Sequence, residues 1–150
     1  MKNNKKIDWN KIKKGVFFVI SLGIIFNTKT RKILIGRRID DPYIKNLTWS
    51  FPGGATYYGK DLEKNLEKSI TEKTGLKVKN LGCVFSRLLK ENARFLLMYY
   101  LCEFIGGREK PGEGMVELKW VDPEDLEDYF TTSLDPRLKE YVMNLKIKRR

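Results

Sequence analysis

Apolar residues recur along this chain in two rhythms, and the switches between them mark its elements. The first run, VFFVISLGIIF at 16–26, is nearly continuous, as a strand covered on both faces would be. It is about half the ~20 residues that a membrane-spanning helix needs. No small-residue cleavage site follows it, so a buried central strand is predicted rather than a leader or an anchor. Asn27 to Lys32 then turn the chain into a second strand, Lys32 to Arg38, and IDDPYIKNLT reads as a loop over the sheet edge with its turn at Asp41-Pro42.

Beyond Trp49 the period changes. Pro52-Gly53-Gly54 predicts a glycine turn, where two residues without Cβ permit positive φ and close approach of a ligand. Asp61 is placed as an N-cap, Leu62, Leu66 and Ile70 recur every four positions as the buried stripe of a helix, and Gly75 stands where a left-handed C-cap belongs. At about 100° per residue, Ser69 lies between Glu72 and Lys73, with Asp61 and Asn65 on the Glu72 side. Glu63 and Glu67 point away beyond Ile70 and are expected to pair with lysines at four-residue spacing.

Period two returns in Val78–Leu89 and Phe95–Phe104, a long hairpin across KENAR. Tyr99 and Tyr100 are expected to face opposite ways, one inward and one outward. The outward ring is either a half-buried sheet tyrosine or a surface for stacking a base. GGREKPGEG forms a glycine-rich loop, Leu118 to Val121 a last strand, and Pro123 the start of a short helix. Asp135-Pro136 opens a final helix of about eleven residues, with Leu138, Tyr141, Val142 and Leu145 as its apolar set. The tail KIKRR either answers the dipole at that helix's end or contacts a polyanion.

A chain of 150 residues that is 41% hydrophobic and 12% aromatic suits one core, read as a basic extension at 1–14 followed by a single domain at 15–150. The net charge of +11 points to an anionic partner, a phosphate-bearing small molecule or RNA. Lysine spread along nearly the whole chain fits mere surface composition equally well. With no histidine there is no His-based nucleophile or base, and two cysteines on different strands leave no zinc site. Cys83 and Cys102 are expected to be buried thiols. The absence of a targeting signal sets a cytoplasmic expectation without a membrane partner.

The stretch from Gly54 to Leu76 resembles the box of the Nudix (MutT-like) hydrolase superfamily, G-x5-E-x7-R-E-U-x-E-E-x-G-U with U a bulky apolar residue. Gly54, Ile70, Glu72, Gly75 and Leu76 match at the family's spacing. Lys60 stands for the first glutamate, Lys68 for the arginine, and Ser69 and Lys73 for two further glutamates, so the box is degenerate. The resemblance continues as an order of elements over residues 15–145. It implies an α/β fold, a Nudix-like α/β/α sandwich with a mixed β-sheet. It also implies hydrolysis of nucleoside diphosphates linked to another group, with Mg²⁺ held by box glutamates and the Gly53 carbonyl. On that pattern Gly53 and Glu72 are the metal ligands. Glu72 and a loop acid, Glu113 with Glu109 and Glu117 as alternatives, are the catalytic carboxylates. Arg37 and Arg38 stand where a substrate-binding arginine is common, Arg38 foremost, because a guanidinium offers a planar fork of donors to phosphate or a base edge.

The substitutions set the functional expectation. A lysine ~4 Å from a dication repels it by roughly 8 kcal/mol at an effective dielectric of ~20, which one carboxylate would merely cancel. The sequence therefore predicts a protein that binds a nucleoside diphosphate derivative or related phosphate ligand at Gly53-Gly54. Lys60, Lys68 and Lys73 then supply the positive charge in place of a metal, and hydrolysis is weak or absent. Mg²⁺ is expected only for an active form. Two alternatives stand beside this reading: a Mg²⁺-dependent hydrolase of ADP-ribose or a nucleoside triphosphate using Glu72 and a loop glutamate, and an RNA-binding domain. A vestigial cleft in a protein acting through its surface, and a homodimer, are left open.

Overall fold

The apolar runs fold into a mixed sheet with helices on both faces. The computed structural model describes residues 15–39, 48–56, 59–131 and 134–146. The expected extension at 1–14, the turn at Asp41-Pro42 and the tail beyond Lys146 lie outside the described residues. No helix among those described is long and apolar enough to cross a membrane.

Strand β1 (Phe18–Phe26) is the centre of the sheet. It runs parallel to β6 (Asn92–Gly107) from Phe18 opposite Phe95 to Phe26 opposite Glu103. On its other side it is antiparallel to β2 (Ile33–Arg38) and to the short β4 (Gly53–Ala55). β3 (Trp49–Ser50) and β7 (Met115–Val121) pair with β2, and β5 (Leu76–Leu89) pairs antiparallel with β6 as the predicted long hairpin. Flanked on both sides and covered on both faces, β1 needs a nearly unbroken apolar sequence, and it has one.

Helix α1 (Leu62–Thr74) lies on one face, where Leu66 and Ile70 pack with Ile25, Leu34, Tyr100 and Cys102. A short 3₁₀ turn (Pro123–Asp125), α2 (Leu126–Tyr129) and α3 (Pro136–Lys146) cover the other, around Ile24, Ile33, Phe51, Tyr99, Leu138 and Val142. This is the expected α/β/α sandwich. A side chain on Gly23 would lie 2.6 Å from Ile70 Cδ1, so bare backbone in β1 sets how closely α1 approaches the sheet.

Several expectations need correcting. Leu62, assigned to the buried stripe, is 38% exposed because it sits in the first turn of α1, ahead of the part that meets the sheet. The Pro52-Gly53-Gly54 turn is also a strand, since β4 adds its backbone to β1. Tyr99 and Tyr100 do face opposite ways, but both are buried, because β6 is an interior strand under a helix on each face. Neither ring is outward to stack on a base. Cys83 is exposed rather than buried, in a region where β5, an edge strand, breaks register with β6 between Asn80 and Phe85. Glu67 does not simply ion-pair along the helix: its Oε2 accepts the backbone N–H of Asn80 at 2.7 Å, and the Glu63 carbonyl accepts from Asn80 Nδ2 at 3.2 Å. The Glu67 carboxylate and the Glu63 backbone together tie α1 to the irregular part of β5.

The difference between Ile70, fully buried, and Leu62 gives a direct test of the helix register. Ile70→Ala should destabilise the fold by about 2–5 kcal/mol, and Leu62→Ala by less than about 1 kcal/mol, read as the shift in urea midpoint. Equal losses would mean that α1 presents a different face to the sheet.

Candidate functional site

The site begins where Gly53 is pressed against β1. Its φ is +155°, and a Cβ there would lie 2.0 Å from the Ser21 carbonyl oxygen, so no larger residue can occupy the position. The Gly23 N–H donates to the Pro52 carbonyl at 2.8 Å and holds the segment in place. Across from it, α1 is fixed at both ends. Asp61 Oδ1 accepts the Lys64 N–H at 2.9 Å, and Gly75, at φ +75°, returns its N–H to the Thr71 carbonyl.

The loop after β6 closes over the C-terminal end of α1. Lys110 N–H donates to the Thr74 carbonyl and Gly112 N–H to the Lys73 carbonyl, each at 2.9 Å, satisfying two carbonyls that a helix end leaves open. The approach is close: a Cβ on Gly112 would lie 2.2 Å from the Glu72 carbonyl oxygen. Glu113 follows at once, so capping of the helix delivers this acid to the box.

Lys73 is the meeting point of these elements. It is half-buried, and its Nζ donates a hydrogen bond to the Gly53 carbonyl. A Cβ on Gly54 would lie 2.9 Å from that nitrogen. Burial lowers the Lys73 pKa below 10.5 and nearby Arg38 adds to the effect, while Glu113 and Glu72 oppose it. The structure thus brings together Arg38 from β2, Gly53 and Gly54 from β4, Glu72 and Lys73 from α1, and Glu113 from the loop.

The remaining residues singled out in the sequence lie elsewhere. Arg37 pairs with Glu117 at 3.0 Å across β2 and β7. Glu109 accepts the Trp120 indole N–H at 2.6 Å. Lys60, just before the cap, and Lys68, on α1, are exposed and are not among the charges acting on Lys73. Ser69 faces a small cleft beside Gly54, together with Ser21, Thr56, Asn65 and Leu66. Ser21 and Thr56 share a hydroxyl hydrogen bond of 2.7 Å. Sequence reasoning passed over both, although Ser21 is the one hydroxyl in the run at 16–26, and a lone polar residue in a buried strand is itself a signal.

The residues present do not fit a divalent cation at the box. Of the ligand positions, Gly53 offers a carbonyl that already accepts an ammonium, Ser69 is a neutral hydroxyl, and Lys73 is a cation. Magnesium requires hard, preferably anionic oxygen ligands in octahedral array. Among the described residues the carboxylates close enough to share an ion are Asp122, Glu124 and Asp125, at the start of the 3₁₀ turn on the α3 side of the sheet, and Glu124 already binds Lys146 at 2.6 Å. Glu72 and Glu113 belong to no such group.

No curated protein matches the chain. Its fold is shared with several solved structures. An ADP-ribose pyrophosphatase from Streptococcus suis superposes with a TM-score of 0.61 at 24% identity, over 86% of this chain and 88% of the other. A structure from work on MutT of Aliivibrio salmonicida and Vibrio cholerae gives 0.63 at 23%, over 85% and 97%. A MutT protein from Methanosarcina mazei gives 0.66 at 15%, over 89% and 96%. The family model of the NUDIX domain matches residues 18–145, which takes in β1, the whole box and nearly all of α3. With that match spanning most of its length, the chain belongs to the NUDIX domain family.

Proposed function

We propose that this NUDIX-domain protein binds a nucleoside diphosphate derivative or related phosphate ligand without a metal ion, and that its hydrolysis of such ligands is weak or absent. One observation carries the reading: the Lys73 ammonium donates to the Gly53 carbonyl, the oxygen that the family pattern gives to Mg²⁺. A tethered cation there, with Arg38 beside it, offers phosphate oxygens the positive charge they need. It does not offer what a metal adds to hydrolysis, a bound and acidified water. The ADP-ribose pyrophosphatase among the structural neighbours is named for a diphosphate-bearing nucleotide, which supports that ligand class here.

Within this reading the residues divide the work. Gly53 and Gly54 let the ligand come close to the backbone, Lys73 and Arg38 meet its charge, and Glu113 and Glu72 offset the repulsion between the two cations. Nothing in the cluster replaces the metal as the group that would bind a water and acidify it for attack on phosphorus.

The test is titration of the purified chain with ADP-ribose, nucleoside di- and triphosphates and a short RNA, with EDTA or with Mg²⁺, followed by product analysis. Binding that survives EDTA, with no product accumulating, is the expected result. Binding that requires Mg²⁺ and ends in cleaved nucleotide would overturn the reading. Preferential, steeply salt-dependent binding of RNA would move it to nucleic acid.

A further inference from the structure

The cleft beside Gly54 is lined by neutral side chains only, its polar ones set among Ala55, Leu62 and Leu66. Ser21 and Thr56 contribute hydroxyls from β1 and from just after β4, and Asn65 and Ser69 line it from α1 one helical turn apart. Ser21 is only 5% exposed. Ser21 and Thr56 share a hydroxyl hydrogen bond, and Ser21 also meets the Tyr100 hydroxyl, so this wall of the cleft is a fixed hydroxyl network. The Asn65 and Ser69 side chains make no hydrogen bond among the described residues, so an amide and a hydroxyl line the same small space unpartnered. Each of these groups can donate, and no carboxylate lines the cleft.

We propose that this cleft is a subsite for one non-bridging phosphoryl oxygen of the diphosphate ligand. It is an uncharged donor pocket that fixes the orientation of the phosphate held by Lys73. This rests on the metal-free reading above. Two features select a phosphoryl oxygen over a cation or a hydrophobic group. Gly54 is shared: it lines the cleft, and its Cα is where a Cβ would come within 2.9 Å of Lys73 Nζ, so an oxygen in the cleft belongs to a phosphate that Lys73 can also reach. Moreover, Ser69 occupies a position where the family pattern has a carboxylate. Exchange of an acceptor-only anion for a hydroxyl donor inverts the preferred guest from a cation to an anion. The space admits a single oxygen atom rather than a whole phosphate, so the remainder of the group stays at the mouth, against Lys73.

Calorimetric titration of the full chain with inorganic pyrophosphate in EDTA tests this. Ser69→Ala should weaken binding about tenfold, the amount a hydrogen bond to a charged group carries. Ser69→Glu should weaken it about a hundredfold by setting an anion against an anion. Ser69→Thr, which keeps the hydroxyl, should bind as the parent does, and thermal melting confirms that each variant is folded. If Ser69→Ala and Ser69→Glu bind like the parent while Lys73→Met does not, the subsite is wrong and the metal-free reading stands. If the parent fails to bind pyrophosphate at all, both fall.

Discussion

A chain carrying Ser69→Glu and Lys73→Glu together is expected to bind Mg²⁺ at millimolar concentration, where the unmodified chain binds none at the box. Removing the lysine frees the Gly53 carbonyl and changes the local charge by two units. The two new carboxylates and Glu72 then stand at helix positions 69, 72 and 73, which share one side of the last two turns of α1. That is the arrangement of hard oxygens that magnesium requires. Calorimetry with Mg²⁺ and the rise in melting temperature on adding it are the readouts, with nucleotide hydrolysis as a further one; Lys60→Glu can be added as supporting charge. The unmodified chain should turn over ADP-ribose or a nucleoside triphosphate far below ordinary rates, because losing direct ligands costs more than the roughly 10- to 100-fold typical of outer-shell changes. Brisk Mg²⁺-dependent cleavage by the unmodified chain, abolished by Glu72→Gln, would sink the argument, since it would require Glu113 to complete a metal site with Lys73 turned away.

The fold was legible wherever a local rule carried the signal. Asp61 and Gly75 bound α1 because capping is decided within a few residues, and Asp135-Pro136 opens α3 for the same reason, with Asp135 Oδ1 accepting the Arg137 N–H at 2.8 Å. The hairpin of β5 and β6 followed from alternation. What the pattern could not supply was which strands become neighbours. Tyr100 is buried because β6 lies between β1 and β5 beneath α1, and Leu62 is exposed because the helix meets the sheet one turn later. Both are consequences of long-range pairing that no local period encodes. The site shows the same division. The glycines and box spacing announced themselves, whereas the contact from Lys73 to Gly53 depends on the distance between α1 and β4, set by Gly23 under Ile70. Glu113 was reachable by sequence only as one of three loop acids. The structure separates it from Glu109 and Glu117, because the backbone of Gly112 caps α1 while Trp120 and Arg37 engage the other two.

Lys73→Met should weaken metal-free binding of a nucleoside diphosphate by about a hundredfold, within the range for deleting one partner of a desolvated charge pair. The pH dependence then identifies the ammonium itself as the group that meets the phosphate. Burial holds the Lys73 pKa below 10.5, with Arg38 lowering it further and Glu113 and Glu72 acting against that. Between the lowered value and 10.5 the folded chain binds fewer protons at this position than the unfolded chain, so this group's contribution to stability rises with pH across that window. Binding must slope the other way. An anionic ligand favours the charged ammonium, so affinity falls as pH rises through the lowered pKa. The ligand's own titration does not confuse the result, since a terminal phosphate with a second pKa of about 6 is fully ionised well before that window. Affinity measured from neutral to strongly alkaline pH should therefore decline in the parent chain and stay nearly level in Lys73→Met, while thermal melts of the parent lack a matching loss of stability from this residue. A variant that keeps both the parent's affinity and its slope would show that the ammonium at Gly53 serves the fold alone.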